Sequence, residues 1–448
     1  MHELTELIKK DMTPALGVTE PGAIAFCVAK AKEYVKGELI HLDVAMNSGM
    51  YKNAFTCGIP NSDEFGNSFT AALGFVAGDA SKGLLSLSNV TKEDNQVAKK
   101  LIDDKKISIS LSGITSKIYI KATLKTTEGS ASVTIRNSHT NITKIEVNGK
   151  TEFETDDEKN ADEKSADDNS KNILANDSIK NYIDKGNEIH TIHKYTLSEI
   201  LDYVDTVPVA EIEFVKEAYK VNLLLFEEGL KSERTTFARA LKELNGDEII
   251  SKNEKDTASL LCNAAIEARV IGLDKPAMSI TGSGAHGIIA TMPLYAVYKI
   301  NNLSDEKLYR ATMLSYLICT YIKEYSGRLS AFCGCAIAAG TGMACGVAYL
   351  KGGKYKELEY VINNMASSIT GMICDGGNQG CTMKGIAATD TAFRSVELAM
   401  RGVHIDSIHG INGRTPEETM RNMGLIASPG MVGTEKTIVE IFENKNNG

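Results

Sequence analysis

The sequence contains no tryptophan and only eight prolines among its 448 residues. Two common zinc patterns are missing as well, because no two cysteines have two residues between them and there is no HExxH segment. Basic residues do not dominate: the formal charge is −9, and nine acids stand against two lysines between residues 152 and 168. These absences weaken a zinc-dependent function and leave no basic surface for nucleic acid.

The first residues, MHELTELIKKDMTP, lack the features of a secretory signal. They are amphipathic and charged, and no apolar stretch with a small-residue cleavage site follows a basic start. Without such a signal, nine cysteines, an odd number, are better explained as reduced thiols or metal ligands than as disulfides. We therefore expect a soluble protein of the cytoplasm.

One uncharged stretch is long enough to span a bilayer. Residues 331–350 are all uncharged, and Gly342 and Gly346 have the spacing of closely packed membrane helices. The stretch consists mainly of Ala, Gly, Cys and Thr, which gain little from lipid, and no tryptophan is present to form an interfacial belt. We interpret the stretch as a buried helix of a soluble protein and expect no membrane partner.

A change of pattern divides the chain. After residue 90 one helix, Lys92–Asp103, precedes runs such as KISISLS and KIYIKATLKTT, whose period of two predicts an antiparallel sheet. After about residue 196 nearly every segment has a helical pattern. We predict an α+β fold with a mainly helical, discontinuous domain (1–89 plus 196–448) and an inserted small α/β domain (90–195). The acidic tract at 155–185 is predicted to be flexible.

The N-terminal segment TEP begins a further predicted helix. Thr19 has the residue type of an N-cap, Glu20 and Pro21 suit the first turn, and Gly37 suits the end. The unpaired backbone amides in the first turn of this helix would face any group that lies next to TEP.

The strongest chemical signal is the pair Cys374 and Cys381 in GMICDGGNQGCTMK. Three glycines between them allow the backbone to curl, whereas a continuous helix would hold the two Cα atoms roughly 10 Å apart. A loop could bring both sulfurs to one metal centre. Periodicity leaves the third ligand open between Cys333, Cys335 and Cys345. Residues two apart on a helix point to different sides, so Cys333 and Cys335 are not expected to share a site.

Three cysteine ligands on an iron–sulfur cluster would leave one iron without a protein ligand. A cluster with four cysteine ligands is closed and suits electron transfer, whereas an open iron acts as a Lewis acid toward substrate oxygen, nitrogen or sulfur. The pattern therefore predicts a 4Fe–4S cluster with one free iron, and an elimination or hydration rather than a redox reaction.

The segment TGSGAHG, residues 281–287, is a second candidate site. Its glycines offer backbone amides to a carboxylate or phosphate, and His286 is placed for proton transfer. A pyridoxal phosphate lyase also uses such a loop and is the alternative, although no lysine stands in a recognisable Schiff-base setting.

Together these segments resemble the iron–sulfur L-cysteine desulfidases, relatives of the iron–sulfur L-serine dehydratase alpha chain. The resemblance covers nearly the whole chain and rests on PALGxTEP, KN followed by IP, HTNI, PAMSxxGSGxxGIxATMP, RLSAxC, MICDG and CxMK. It implies that Cys333, Cys374 and Cys381 are the cluster ligands. It also implies a pyridoxal-independent α,β-elimination that converts L-cysteine to pyruvate, ammonia and sulfide.

The resemblance further implies roles for side chains around the cluster. The catalytic candidates are His286 and Glu20. The residues expected to bind the amino-acid substrate are Thr19, Lys52, Asn53, Ser283, Gly284, Asn378 and Lys384. His139, in HTNI, either reaches this site across the domain boundary or is an ordinary turn histidine.

The chain departs from the family at one position. The family motif GCTEP carries a cysteine proposed to remove the α-proton, and here Val18 takes its place. Valine cannot transfer a proton, so His286, Glu20 or Cys57 would have to substitute, or the substrate differs. L-cysteine is the leading substrate; a serine dehydratase-like ammonia-lyase and a non-catalytic iron or redox sensor are the alternatives. A homodimer is one assembly that the sequence allows.

Overall fold

The computed structural model describes residues 1–115, 117–156, 158, 190–327 and 329–446. Residues 157 and 159–185 of the predicted acidic tract lie outside the described residues, and the flexibility of the tract stays a prediction. The predicted α+β class is confirmed, because a mainly helical fold accompanies a small sheet.

Helices make up most of the described chain. Their bounds are α1 (Glu3–Asp11), α2 (Thr19–Lys32), α3 (Ser48–Ala54), α4 (Asn67–Ala77), α5 (Lys92–Asp103), α6 (Leu197–Thr206), α7 (Val209–Ile212), α8 (Lys216–Lys231), α9 (Phe237–Leu244), α10 (Glu254–Val270), α11 (Gly284–Ile300), α12 (Asp305–Ser326), α13 (Gly340–Leu350), α14 (Tyr355–Ile369), α15 (Gly380–Ala399), α16 (Pro416–Leu425) and α17 (Val432–Asn446). Short 3₁₀ turns occur at Ala80–Leu85, Thr191–Lys194 and Glu213–Val215, and π-helical turns at Cys335–Ala339 and Ile426–Gly430.

The strands form two sheets. Their bounds are β1 (Thr13–Leu16), β2 (Leu39–Asn47), β3 (Ile107–Gly113), β4 (Tyr119–Thr126), β5 (Gly129–Arg136), β6 (Ile142–Val147), β7 (Lys150–Glu154) and β8 (Pro276–Ser279). Six of them are ordered β3-β2-β4-β5-β6-β7, while β1 pairs with β8. In the larger sheet β2 runs parallel to β3, and the other neighbours are antiparallel.

The position of β2 corrects the expectation that the sheet is antiparallel and built from residues after 90. The strand lies between β3 and β4, inside the sheet. Its buried Leu42, Val44 and Met46 alternate with less buried neighbours, so the period of two was present in the sequence. The division into domains 1–89 plus 196–448 and 90–195 stays a prediction, although the sheet draws one strand from before residue 90.

Helix α2 is buried along nearly its whole length, because it packs against β4 and β5 on one side and α4 on another. Its N-cap is Val18, one residue before the predicted Thr19. It ends at Lys32 rather than at Gly37, because residues 33–35 bond back by three positions and tighten the last turn.

The uncharged stretch 331–350 is buried, and its helical part begins only at Cys335. A Cβ added to Gly342 would lie 2.2 Å from the carbonyl oxygen of Ser315, so glycine permits the close contact between α13 and α12. Residues 331–333 are extended instead. No helix in the described ranges is long and apolar enough to cross a membrane.

Candidate functional site

Cys333 and Cys374 are brought together by a short antiparallel pairing of two chain segments. The Cys333 amide donates to Met372 O at 3.0 Å, the Cys374 amide donates to Ala331 O at 2.6 Å, and residues 332 and 373 form the bridge between them. This register puts the two cysteines on one face as a diagonal pair, for which roughly 7 Å between residues is typical.

Cys381 reaches the same place from the first turn of α15. Its amide donates to Asn378 O at 2.9 Å, and its thiol donates to Gly376 O at 3.4 Å. Gly376 has a φ of 108°, and a Cβ there would lie 2.5 Å from the carbonyl oxygen of Lys52. The loop curls as its glycines predict, because only glycine suits this position.

The thiols influence one another electrostatically. A hydrogen bond from the Cys335 thiol, opposed by burial, lowers the pKa of Cys333 to about 7. Burial of the Cys381 thiol, together with charge on Cys374 and Cys333, raises its pKa to about 12. The thiols of Cys333, Cys374 and Cys381 are therefore neighbours. The expectation that Cys333 and Cys335 cannot share a site was wrong, because Cys333 precedes the helix and helical periodicity does not apply to it.

Thiolates are the ligands of iron–sulfur clusters, so the chemistry of Cys333, Cys374 and Cys381 fits such a cluster. No group of three or more His, Cys, Asp or Glu side chains in the described part of the chain is positioned to hold one metal ion. Cationic Lys52 and Lys384 lie near the thiols, where they favour thiolates.

Lys52 holds the cysteine loop to the rest of the protein. Its ammonium donates to Ser330 O at 2.9 Å, to Cys374 O at 2.8 Å and to Glu435 Oε2 at 2.8 Å, and the side chain is fully buried. An ammonium has three protons, and all three are used. The geometry thus gives Lys52 a structural role and leaves it no donor for a substrate.

Two other predicted substrate residues also bind the loop itself. Asn378 Oδ1 accepts from the Gly380 amide at 2.8 Å, and its Nδ2 donates to Asp375 O at 3.3 Å. Lys384 forms an ion pair with Asp375. Both side chains therefore stabilise the turn between Cys374 and α15.

Glu20 is a buried carboxylate that keeps its negative charge. Asn53 Nδ2 donates to its Oε1 at 2.8 Å, and Thr19 Oγ1 donates to its Oε2 at 3.1 Å. Burial alone would raise the pKa of Glu20, but the nearby His139, the Asn53 hydrogen bond and the charge of Arg269 outweigh it and lower the pKa to about 2. Such a carboxylate is a weak base, and it suits binding of a cation better than proton abstraction.

His139 lies beside Glu20, as one of its two predicted alternatives requires. It is buried, and its Nε2 lies 3.9 Å from Glu20 Oε1, which is too long for a hydrogen bond. This Nε2 has no hydrogen-bond partner in the described chain. The sheet, which carries His139 in the turn after β5, therefore contributes a side chain to the site.

Three helices begin around the cysteines: α2, α11 and α15. Their N-cap residues are Val18, Ser283 and Gln379, and none makes a side-chain capping hydrogen bond. Thr19 Oγ1 lies 3.3 Å from Gly282 O, and a Cβ on Gly377 would lie 2.7 Å from Val18 Cγ1, so the three starts are in contact. At α15 the Gly380 amide already donates to Asn378 Oδ1, whereas the uncapped starts of α2 and α11 offer first-turn amides and a positive dipole end, which favour an anion.

His286 lies in the first turn of α11 and is buried. The Thr281 hydroxyl lies 2.6 Å from Nδ1 and donates its own proton to a backbone carbonyl, so it accepts from Nδ1–H. Nε2 therefore carries a lone pair, and a Cβ on Gly334 would lie 2.7 Å from it. Burial and the charges of Lys323 and Arg269 hold the pKa of His286 well below its usual range, so the ring is neutral.

The other proposed substitutes for the family's cysteine are less suitable. Val18 packs against Gly377 in the cysteine loop, so an apolar wall stands where the family has a thiol. Cys57 is fully buried, donates to Ala54 O at 3.4 Å, and has a pKa that burial and the charge of Glu20 raise strongly. The Cys57 thiol is therefore held in its protonated form.

Sequence reasoning missed Arg269, near the end of α10. Its side chain is 3% exposed, and its Nε has no hydrogen-bond partner among the described residues. The neighbouring Glu267, also buried, accepts from the amides of residues 236–238 and is satisfied. The signal was a charge pair, EAR, inside an Ala-rich apolar run, where unpaired charges are rare.

Comparisons with known proteins identify relatives of the chain. A family model described as the serine dehydratase alpha chain matches residues 81–440. A UPF0597 protein of Clostridium botulinum (strain Langeland) is 41% identical over 439 residues, 98% of each chain. UPF0597 proteins of Caldanaerobacter subterraneus subsp. tengcongensis and Clostridioides difficile (strain 630) are 34% and 32% identical, over at least 98% of each chain.

The matched region covers most of the chain, and the serine dehydratase alpha-chain family is associated with iron–sulfur clusters. The predicted relationship to the serine dehydratase alpha chain is confirmed, whereas the closer relationship to cysteine desulfidases stays a prediction. The chain belongs to the serine dehydratase alpha-chain family.

Proposed function

We propose that the protein is an iron–sulfur lyase, independent of pyridoxal phosphate, that carries out α,β-elimination on a small amino acid. L-cysteine is the leading substrate, with pyruvate, ammonia and sulfide as products. The observation that supports it best is the meeting of Cys333, Cys374 and Cys381 beside the uncapped starts of α2 and α11.

The three cysteines would hold a 4Fe–4S cluster and leave one iron without a protein ligand. When bound, that iron would supply a Lewis acid for the leaving group or the developing negative charge. In the metal-free chain burial keeps the Cys374 and Cys381 thiols protonated, so binding of the cluster would release protons.

The surrounding residues suit an amino acid that carries both charges. Glu20, held ionised by its neighbours, would bind the ammonium group, and Thr19 and Asn53 orient that carboxylate. The first amides of α11, from Gly284 onward, would face the substrate carboxylate, whereas the predicted Ser283 amide already donates to Ile280 O at 3.1 Å. The neutral His286, with the lone pair of Nε2 facing the cysteine segment, is our choice for the group that accepts the α-proton.

The family match supports a second candidate substrate. The matching family model is described as the serine dehydratase alpha chain, so L-serine in an ammonia-lyase reaction competes with L-cysteine. A non-catalytic iron or redox sensor would also tolerate Val18, but it would have no use for a buried amino-acid site. We further propose that the protein works in the cytoplasm, and a homodimer stays a prediction.

The test begins with iron and acid-labile sulfide in anaerobically purified protein. We expect a cluster in the parent, its loss in Cys374→Ala, and its retention in Cys345→Ala, because Cys345 is fully buried in α13 away from the loop. Pyruvate release from L-cysteine and L-serine is then measured with loaded protein. A loaded parent that turns over neither amino acid, nor any other small β-substituted one, would contradict the proposal.

A further inference from the structure

The inference starts from the guanidinium of Arg269. It is almost completely buried on α10, and its Nε finds no acceptor among the described residues. Glu20 is near enough to feel its charge, yet the two make no direct ion pair in the described structure. A buried N–H of a charged group that has no acceptor is unfavourable, so the unpaired Nε of Arg269 suits a place where a ligand supplies the acceptor.

The surroundings of Arg269 identify the direction from which an anion would come. A Cβ added to Gly284 would lie 2.7 Å from Arg269 Nε and 2.8 Å from Ala277 Cβ. Arg269 therefore lies against the first residue of α11, where Ser283 leaves the helix without a side-chain cap. The guanidinium and the first amides of α11 are neighbours, and both favour an anion.

The carboxylate of Glu20 supplies a negative charge close to Arg269. Glu20 belongs to the first turn of α2, and Oγ1 of the adjacent Thr19 lies 3.3 Å from Gly282 O in the TGSG turn before α11. The Glu20 carboxylate and the Arg269 guanidinium lie on either side of the TGSG turn and do not pair with each other. Their opposite charges match the ammonium and carboxylate groups of an α-amino acid. A ligand with only one of the charges would leave the other group unpaired.

We propose that Arg269, with the first amides of α11, binds the α-carboxylate of the amino-acid substrate while Glu20 binds its ammonium group. The assignment rests on the proposed function and names the residue that selects a free amino acid. It predicts that the site rejects amino-acid amides and simple amines, because these lack the carboxylate that satisfies Arg269.

The test measures binding without turnover. Anaerobic cluster-loaded protein is titrated by calorimetry with L-alanine, which has no leaving group on its β-carbon, and with L-alaninamide, which lacks the carboxylate. We expect L-alanine to bind the parent at least about tenfold more tightly than Arg269→Gln, because a charged hydrogen bond is lost. L-alaninamide should bind both proteins equally weakly. Arg239→Gln, on the exposed surface of α9, is the control and should behave as the parent.

Circular dichroism verifies that each variant is folded. If Arg269→Gln does not fold, Arg269→Lys retains the charge without the planar fork and should bind L-alanine more weakly than the parent, again with no change for L-alaninamide. Equal L-alanine binding by parent and variant, equal binding of the two ligands by the parent, or no binding of L-alanine by the parent would overturn the assignment.

The outcomes separate this assignment from the proposed function. If binding depends on the ligand's carboxylate and on Arg269 but no amino acid is turned over, the role of Arg269 in carboxylate binding stands and the proposed lyase activity is wrong. If Arg269→Gln turns over the amino acid with an unchanged KM, the proposed lyase activity stands and the role of Arg269 in carboxylate binding is wrong.

Discussion

Two buried cations near the cysteines differ in one respect, and the difference separates structural from ligand-binding charges. Lys52 uses all its protons on Ser330 O, Cys374 O and Glu435, so its burial is fully compensated by the protein. Arg269 is equally buried, but its Nε has no partner among the described residues. A buried cation whose donors are all used holds the fold together, whereas the unpaired Nε of Arg269 fits the proposed binding of a substrate carboxylate.

The largest expected effect comes from removing the Lys52 ammonium, the cation whose donors are all used. Lys52→Met removes the cation that faces Glu435, whose Oε1 already has no partner in the described chain. An unpaired buried carboxylate should lower the free energy of unfolding by about 3–5 kcal/mol, measured by urea denaturation. Lys436→Met, in the same helix α17 but exposed, should leave it nearly unchanged.

A second variant sharpens this prediction. Lys52→Met combined with Glu435→Leu removes both charges, and most of the lost stability should return, because replacing a whole buried pair is often neutral. Equal stability of parent and Lys52→Met would mean that this ion pair does not hold the cysteine loop.

The next effect concerns Glu20, whose charge lies between the two cations. Its pKa is about 2 in the folded protein against 4.5 as the ordinary value. A lowered pKa contributes stability above about pH 4.5 that is lost as the pH falls through 2, because the unfolded chain binds the proton first. About 3 kcal/mol of unfolding free energy should disappear across this window, and Glu20→Gln should flatten the pH dependence there.

Chemical denaturation at a series of pH values measures this window. Glu38→Gln, at an exposed position before β2, is the control and should retain the slope of the parent. An unchanged slope in Glu20→Gln would show that Glu20 is not the ionised group assumed for ammonium binding.

The smallest expected effect is on the stability of Arg269→Gln without ligand. The change removes a charge that the protein itself does not satisfy, so the unfolding free energy should stay within about 1 kcal/mol of the parent or rise. Thermal unfolding without amino acids measures this. If Arg269→Gln lowers the free energy of unfolding as much as Lys52→Met does, Arg269 is a structural charge like Lys52.

The cysteine loop is the part of the site that the sequence predicts best. Three glycines between Cys374 and Cys381 indicated a curled loop, and Gly376 confirms it with its positive φ. Periodicity could not identify the third cysteine ligand. The apolar pattern of residues 331–350 suggested one continuous helix, whereas residues 331–333 are not helical in the fold. Only the resemblance to a known family selected Cys333, and the pairing of residues 331–333 with 372–374 supports it.

The roles of polar residues were harder to predict. Lys52, Asn378 and Lys384 were expected to bind substrate, because the family motifs contain them. Their hydrogen bonds depend on partners 9 to 383 residues away or in the loop itself, such as Glu435 for Lys52 and Asp375 for Lys384. No local pattern carries that information, since a long-range contact is set by how the elements pack.

By itself the sequence determined the local features: the helical pattern after residue 196, the alternation in the sheet strands, the glycine loop between Cys374 and Cys381, and the uncapped turn before α11. These follow from backbone conformation and periodicity, which act over a few residues. Only the tertiary structure decided which charges are satisfied. Whether Lys52, Glu20 or Arg269 finds a partner depends on distant segments meeting, and that meeting distinguishes the residues that hold the fold from the one that we propose binds the substrate carboxylate.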